Sequence, residues 1–122
     1  MLEKPSMLSL PFEVAAYHPG ILTPLTVRLF GRMPIPKRHI ESYFDLYQPE
    51  LTAMHSLLAA MRADITKANS DVCGFNVGTN NGSEAGQTIL HCHLHLIPRR
   101  KGDMDDPRGG VRGVIPDKRV YQ

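Results

Sequence analysis

The 122-residue chain has no strong charge of one sign, no long apolar run and only two cysteines. Each absence removes a class of function. A formal net charge of +2 is too small to argue for nucleic acid as a partner. No apolar stretch approaches the ~18 residues needed to cross a bilayer, so no membrane span is expected. The amino terminus lacks the ordered charged, apolar and small-residue regions of a signal peptide. Cys73 and Cys92 form no C-x-x-C pair, the spacing that holds a structural zinc or runs thiol exchange. Two such isolated cysteines beside a Met-containing core suit a reduced compartment, and a cytoplasmic protein is expected.

What is present fits one globular domain. Hydrophobic residues make up 42% and charged residues 21%, both ordinary for a folded domain. The length supports one core and not two. Residues 1–32 form a poorly patterned amino-terminal segment, punctuated by Pro5, Pro11, Pro19, Gly20 and Pro24. A strand is placed there at Leu25–Phe30. Residues 33–103 carry the patterned core, and residues 104–122 a carboxyl-terminal segment without a period. There are no internal repeats.

Met33-Pro34-Ile35-Pro36-Lys37 reads as a short strand whose two prolines remove ladder donors and so demand an edge position. Leu51, Met54, Leu58, Met61 and Ile65 step by three and four, the apolar stripe of a helix. Pro49 suits its first position, Glu50 suits the positive end of its dipole, and Asn69-Ser70 ends it. His55 falls beside the stripe, as a surface or boundary residue. Cys73, Phe75 and Val77 alternate with Gly74, Asn76 and Gly78, which predicts a strand over Val72–Val77. Thr79 to Gly86 is a loop rich in turn formers. A second strand over Thr88–Ile97 would complete a hairpin with the helix packed on it, an α+β layer arrangement.

That second strand holds His91, His93 and His95, half of the six histidines in the chain. Alternate residues of a strand share a face and lie ~6.5–7 Å apart. One face would carry three imidazoles, and Leu90, Cys92, Leu94 and Leu96 would bury the other. Four readings compete for this row. It could be a polar sheet face without function. It could offer nitrogens to zinc, although no acidic or cysteine ligand stands at a suitable spacing nearby. It could be an anion-binding module without turnover. Or it could transfer phosphoryl or nucleotidyl groups through a covalent histidine intermediate, since a neutral imidazole is a competent nucleophile towards phosphorus. The preceding loop favours an anion. Gly82, Gly86, Gln87 and Thr88 offer backbone N–H groups, an amide and a hydroxyl just before the row.

His91-Cys92-His93-Leu94-His95-Leu96-Ile97 resembles the H-φ-H-φ-H-φ-φ signature of the histidine-triad (HIT) family. Phe75-Asn76-Val77-Gly78, Asn80 and Ala85-Gly86-Gln87-Thr88 resemble its lead-in, and Ile35-Pro36-Lys37-Arg38-His39 the segment before its long helix. The third histidine argues against the uridylyltransferase branch, where glutamine stands at that place. The resemblance implies a HIT-like α+β fold, a homodimer whose pairing extends the central sheet, and a purine nucleotide substrate cleaved at its α-phosphate. It implies that His93 attacks phosphorus, that His91 and His95 orient it or assist the leaving group, and that Asn80, Gly86, Gln87 and Thr88 line the nucleotide site. The triad itself requires no metal or other cofactor. One departure stands out. Where the family carries a Gly-His pair upstream, this chain has Gly31-Arg32-Met33-Pro34. A binding protein without turnover is therefore the alternative.

Overall fold

The computed structural model describes residues 27–30 and 33–120. Strands β1 (Val27–Phe30) and β2 (Met33–Pro36) pair antiparallel, with Val27 opposite Pro36 and Phe30 opposite Met33. The expected strand at 25–30 is thus present from Val27, and Leu25 and Thr26 lie outside the described residues. Helix α1 (Gln48–Ala68) follows, and strands β3 (Val72–Gly78) and β4 (His95–Arg100) form the antiparallel hairpin, Gly78 opposite His95. One long helix packed on antiparallel strands is the α+β arrangement that the sequence pattern predicts.

The helix begins and ends where its local chemistry directs. Pro49 occupies the first turn, and the Glu50 carboxylate accepts the Tyr47 N–H at 2.8 Å, meeting one of the donors a helix start leaves unpaired. Asn69 closes the other end, its backbone N–H and side-chain amide both donating to the Ile65 carbonyl. Burial centres on Ala53, Met54, Leu57, Ala60, Met61 and Ile65. Leu51 and Leu58 sit at the margin of this stripe, partly buried against it. His55 is exposed, as its position beside the stripe predicts.

The core joins α1 to Val27, Ile40, Leu46, Cys92 and Leu94. Met54, Leu57 and Met61 retain almost no surface, and full burial of such side chains stabilises by about 1.5–3 kcal/mol each. In β3 the alternation is weaker than the pattern suggests. Cys73 and Val77 are exposed and Phe75 is half-buried.

The strand expected over Thr88–Ile97 is realised only from His95 onward. Residues 88–94 are irregular. The reason lies in β2, which flanks them. Leu94 donates its N–H to the Pro34 carbonyl at 3.1 Å and His91 contacts the Pro36 carbonyl, so both prolines turn this side of β2 toward the histidine segment. Proline has no N–H to return the bond, and a regular ladder cannot close. Leu90, expected in the interior, is 55% exposed as a consequence of this irregular path.

The carboxyl-terminal segment forms two short 3-10 turns, Gly110–Val114 and Pro116–Lys118. Arg119 ties them back by donating to the Asp106 and Arg108 carbonyls.

Candidate active site

The histidine segment is held from one side by the stretch between β2 and α1. The Ile40 carbonyl accepts the Cys92 N–H at 2.7 Å, and the Pro36 carbonyl lies 2.8 Å from His91 Nε2. From the other side, Thr79 Oγ1 at the end of β3 donates to the His93 carbonyl at 2.9 Å. These contacts place Cys92 and Leu94 in the core, on the face the alternation assigns to them.

His91 and His93 are themselves largely buried, and His95 is half-buried. The His93 and His95 rings meet edge to face with centroids 5.0 Å apart. His93 Nδ1 lies 2.8 Å from the His91 carbonyl oxygen. A carbonyl only accepts, so Nδ1 carries a proton, and the lone pair of the neutral ring resides on Nε2. Among the described residues no protein group bonds that Nε2, which leaves it the ring nitrogen open to a ligand. The ring packed on His91 is that of His39, with centroids 5.3 Å apart and planes at 66°. Burial, and secondarily the charge on His93, lowers the His95 pKa below the ordinary imidazole value. A neutral His95 beside His93 is the outcome.

The preceding loop is organised around Gln87. This buried side chain accepts the Gly82 N–H at 2.8 Å and donates to the Glu41 and Ile89 carbonyls at 3.0 and 3.1 Å. Both amide protons are thereby engaged within the protein. The Gly86 N–H bonds to the Ser83 carbonyl and the Gln87 N–H to the Gly82 carbonyl. The donors that the sequence offers to an anion at Gly82, Gly86 and Gln87 are therefore held inside the loop, because a tight turn must satisfy its own backbone first. Gly86 has φ +93 with open space where a Cβ would stand, so glycine is required here for conformation and not for room. Thr88 is exposed, Asn80 is half-buried, and neither side chain bonds another described residue. Asn81 instead accepts the Tyr43 N–H at 2.7 Å, a further tie from the loop to the segment before α1.

A cavity of about 280 Å³ opens between α1 and the end of β3, lined by Met54, His55, Val77 and Leu94 among others. None of the three imidazoles lines it, so it is separate from the histidine row. Arg32 lies outside the described residues. Among the described residues no group of three or more His, Cys, Asp or Glu is placed to hold a metal ion.

Thr79, His39 and Pro36 are the site residues that sequence reasoning passed over as functional groups. Pro36 and His39 stood inside the Pro-Lys-Arg-His stretch quoted for its resemblance. Only the fold shows that they grip His91.

Comparisons with known proteins identify the family. A family model described as "HIT domain" matches residues 33–102, more than half of the chain. The chain is 36% identical over 72 residues to the asymmetrical bis(5′-nucleosyl)-tetraphosphatase of Schizosaccharomyces pombe, covering 59% of this chain and 39% of that protein. A HIT family protein from Bacillus anthracis superposes with a TM-score of 0.53 at 38% identity, covering 57% of this chain and 49% of that one. The Plasmodium falciparum diadenosine triphosphate hydrolase, solved with cyclomarin A, superposes with a TM-score of 0.54 at 27% identity, covering 61% and 50%. The chain spans less than two thirds of the length of the curated relatives it matches. An antiparallel hairpin under one long helix and a family match across 33–102 agree: the chain belongs to the HIT domain family.

Proposed function

We propose that this protein is a histidine-triad nucleotide hydrolase or transferase, cleaving at the α-phosphate of a nucleoside phosphoramidate or a dinucleoside polyphosphate. The observation that carries the reading is the His93 Nδ1 contact to the His91 carbonyl, which aims an Nε2 lone pair away from the backbone. The relatives named as a tetraphosphatase and as a diadenosine triphosphate hydrolase support a nucleotide substrate.

In the first step His93 Nε2 forms a bond to the α-phosphorus while the phosphorus–oxygen or phosphorus–nitrogen bond to the leaving group breaks. The leaving group departs with that electron pair and takes a proton from solvent. In the second step water attacks phosphorus, the nitrogen–phosphorus bond breaks, and the electron pair returns to Nε2. A nucleoside monophosphate and a proton are released. Splitting one displacement in two is the advantage of a covalent intermediate. His91 acts through its carbonyl, which holds the nucleophilic ring. Thr88 and Asn80 are the loop groups available to a phosphate or ribose. A homodimer in the cytoplasm is part of the same reading.

A second reading has one observation behind it. Gln87 and the Gly82 and Gly86 N–H groups are engaged inside the loop, and a nucleotide-binding protein with little turnover would need no further donors at phosphorus. One assay separates the two. Incubation with a fluorogenic adenosine phosphoramidate should release the fluorophore, and His93→Ala should abolish the release. AMP binding by the parent without turnover would establish the binding protein instead.

A further inference from the structure

We propose that Asn76 is a specificity-determining residue for the leaving group, on the hairpin face that carries His95, and that it favours a leaving nucleotide over a small amine. The proposal rests on the reading of His93 as nucleophile. The ladder register assigns the face. Residues directly opposite in an antiparallel pair point to the same side, and alternate residues of one strand share it. His95 stands opposite Gly78, Ile97 opposite Asn76 and Arg99 opposite Gly74. Leu96 turns the other way and packs against the core. His95, Ile97, Arg99 and Asn76 therefore share the outer face, away from the core. The edge-to-face contact of the His93 and His95 rings brings the nucleophile to its border.

On that face Asn76 presents an oriented donor. Arg99 Nη1 donates to its Oδ1 at 2.6 Å. A guanidinium only donates, so the atom facing it is the oxygen, and Nδ2 is turned away from Arg99. Arg99 is itself held, its Nε and Nη2 donating to the Asp103 carboxylate at 2.9 and 2.7 Å. The Gly110 backbone flanks the amide, and a Cβ there would stand 3.2 Å from Nδ2. Among the described residues no protein group accepts from Nδ2, and Asn76 is only half-buried, so its amide protons are open to a ligand. Ile97, 50% exposed, supplies an apolar surface between His95 and Arg99. The Asn76–Ile97 pair lies two residues from the Gly78–His95 pair, ~6.5–7 Å along the strands. A small amine held at phosphorus falls short of that distance and brings no acceptor. A leaving nucleotide brings phosphate oxygens and base nitrogens that accept, and a base that can cover Ile97. Asn80 and Thr88, before the row in the chain, are left to the retained nucleoside.

The test compares Asn76→Ala and Asn76→Asp with the parent on two substrates, diadenosine tetraphosphate and an adenosine phosphoramidate whose leaving group is ammonia. The readout is the ratio of their kcat/KM values, which the folded fraction of a variant does not move. Asn76→Ala removes the donor and should lower the ratio roughly three- to tenfold, the size of one neutral hydrogen bond, through a loss on the tetraphosphate alone. Asn76→Asp keeps an acceptor for Arg99 but has no donor, and should lower the ratio at least as far. An unchanged ratio in Asn76→Ala would overturn the proposal. So would an equal loss on both substrates, which would make Asn76 a general support of the histidine row, and so would a parent that turns over the phosphoramidate alone. If the parent turns over neither substrate, the reading of His93 as nucleophile fails by itself. Affinities for AMP and for a methylene-bridged, non-hydrolysable diadenosine tetraphosphate then decide the role of Asn76. Asn76→Ala should weaken the second alone, and weakening of both or of neither would overturn the assignment.

Discussion

The Nδ1 nitrogen of His93 and the carbonyl oxygen of His91, two residues earlier in the chain, lie 2.8 Å apart. This one contact decides which nitrogen of the central ring can act. It also makes His91 a backbone participant as well as a side-chain one, so the geometry of residue 91 matters twice. The Pro36 carbonyl on its ring and the Ile40 carbonyl on the next N–H both hold residue 91.

The loop before the triad should fail by unfolding before it fails by chemistry. Removing the Gln87 amide leaves the Gly82 N–H and the Glu41 and Ile89 carbonyls without their partner. Gln87→Ala is expected to cost about 1–2 kcal/mol, the net loss of hydrogen bonds to partly exposed groups that water can in part replace. Gln87→Glu loses both donors and adds a charge, so its deficit should be larger at pH 7 than at pH 4, where the carboxyl can donate one bond. Equilibrium urea unfolding checks both. An unchanged midpoint with turnover lost would mean that Gln87 acts at the phosphate instead.

The two thiols should differ sharply in reactivity. Burial, with a smaller contribution from the Glu50 charge, pushes the Cys92 thiol up to about 11, while Cys73 is exposed. In native protein at pH 8 iodoacetamide should modify Cys73 quickly and Cys92 only on unfolding. Cys92→Ser places a hydroxyl in the core cluster that also holds Leu94 and Met61 and should cost about 1–3 kcal/mol, with turnover per folded molecule unchanged. Full stability combined with lost turnover would reverse the assignment of strand faces.

His95 gives a pH dependence with a definite sign. Its pKa in the folded protein is below the ordinary 6.5, through burial first and the His93 charge second. The unfolded chain therefore binds the proton more readily than the folded one. The stability contributed by neutral His95 is complete above pH 6.5 and is lost as pH falls from there toward the lowered folded value. Titration of the His95 ring proton by NMR should show a midpoint below 6.5, and His95→Asn should remove this component of acid destabilisation. A midpoint at or above 6.5 would contradict the burial of this ring.

Several elements were legible in residue order alone. The span of α1 was, because Pro49, Glu50 and Asn69 act within one turn of the residues they cap. The β3–β4 hairpin was, because its turn formers lie between two extended runs. The burial of Cys92 and Leu94 followed from the alternation of the histidine segment. Leu90 did not follow it, and neither did the strand from Thr88 to Leu94.

What residue order by itself determined about this protein is therefore its local content: a capped amphipathic helix, two extended runs, a turn-rich loop and three alternating imidazoles. Tertiary structure alone decided how those imidazoles are held. One partner of His91 is a proline carbonyl 55 positions away in the chain, and the missing N–H groups of Pro34 and Pro36 break the ladder beside it. The donors of the loop turn inward because Gln87 finds Glu41 across the fold, and His39 meets His91 only when β2 is laid alongside. Capping and periodicity act over a few residues, whereas hydrogen-bond satisfaction depends on whichever segment the fold brings near.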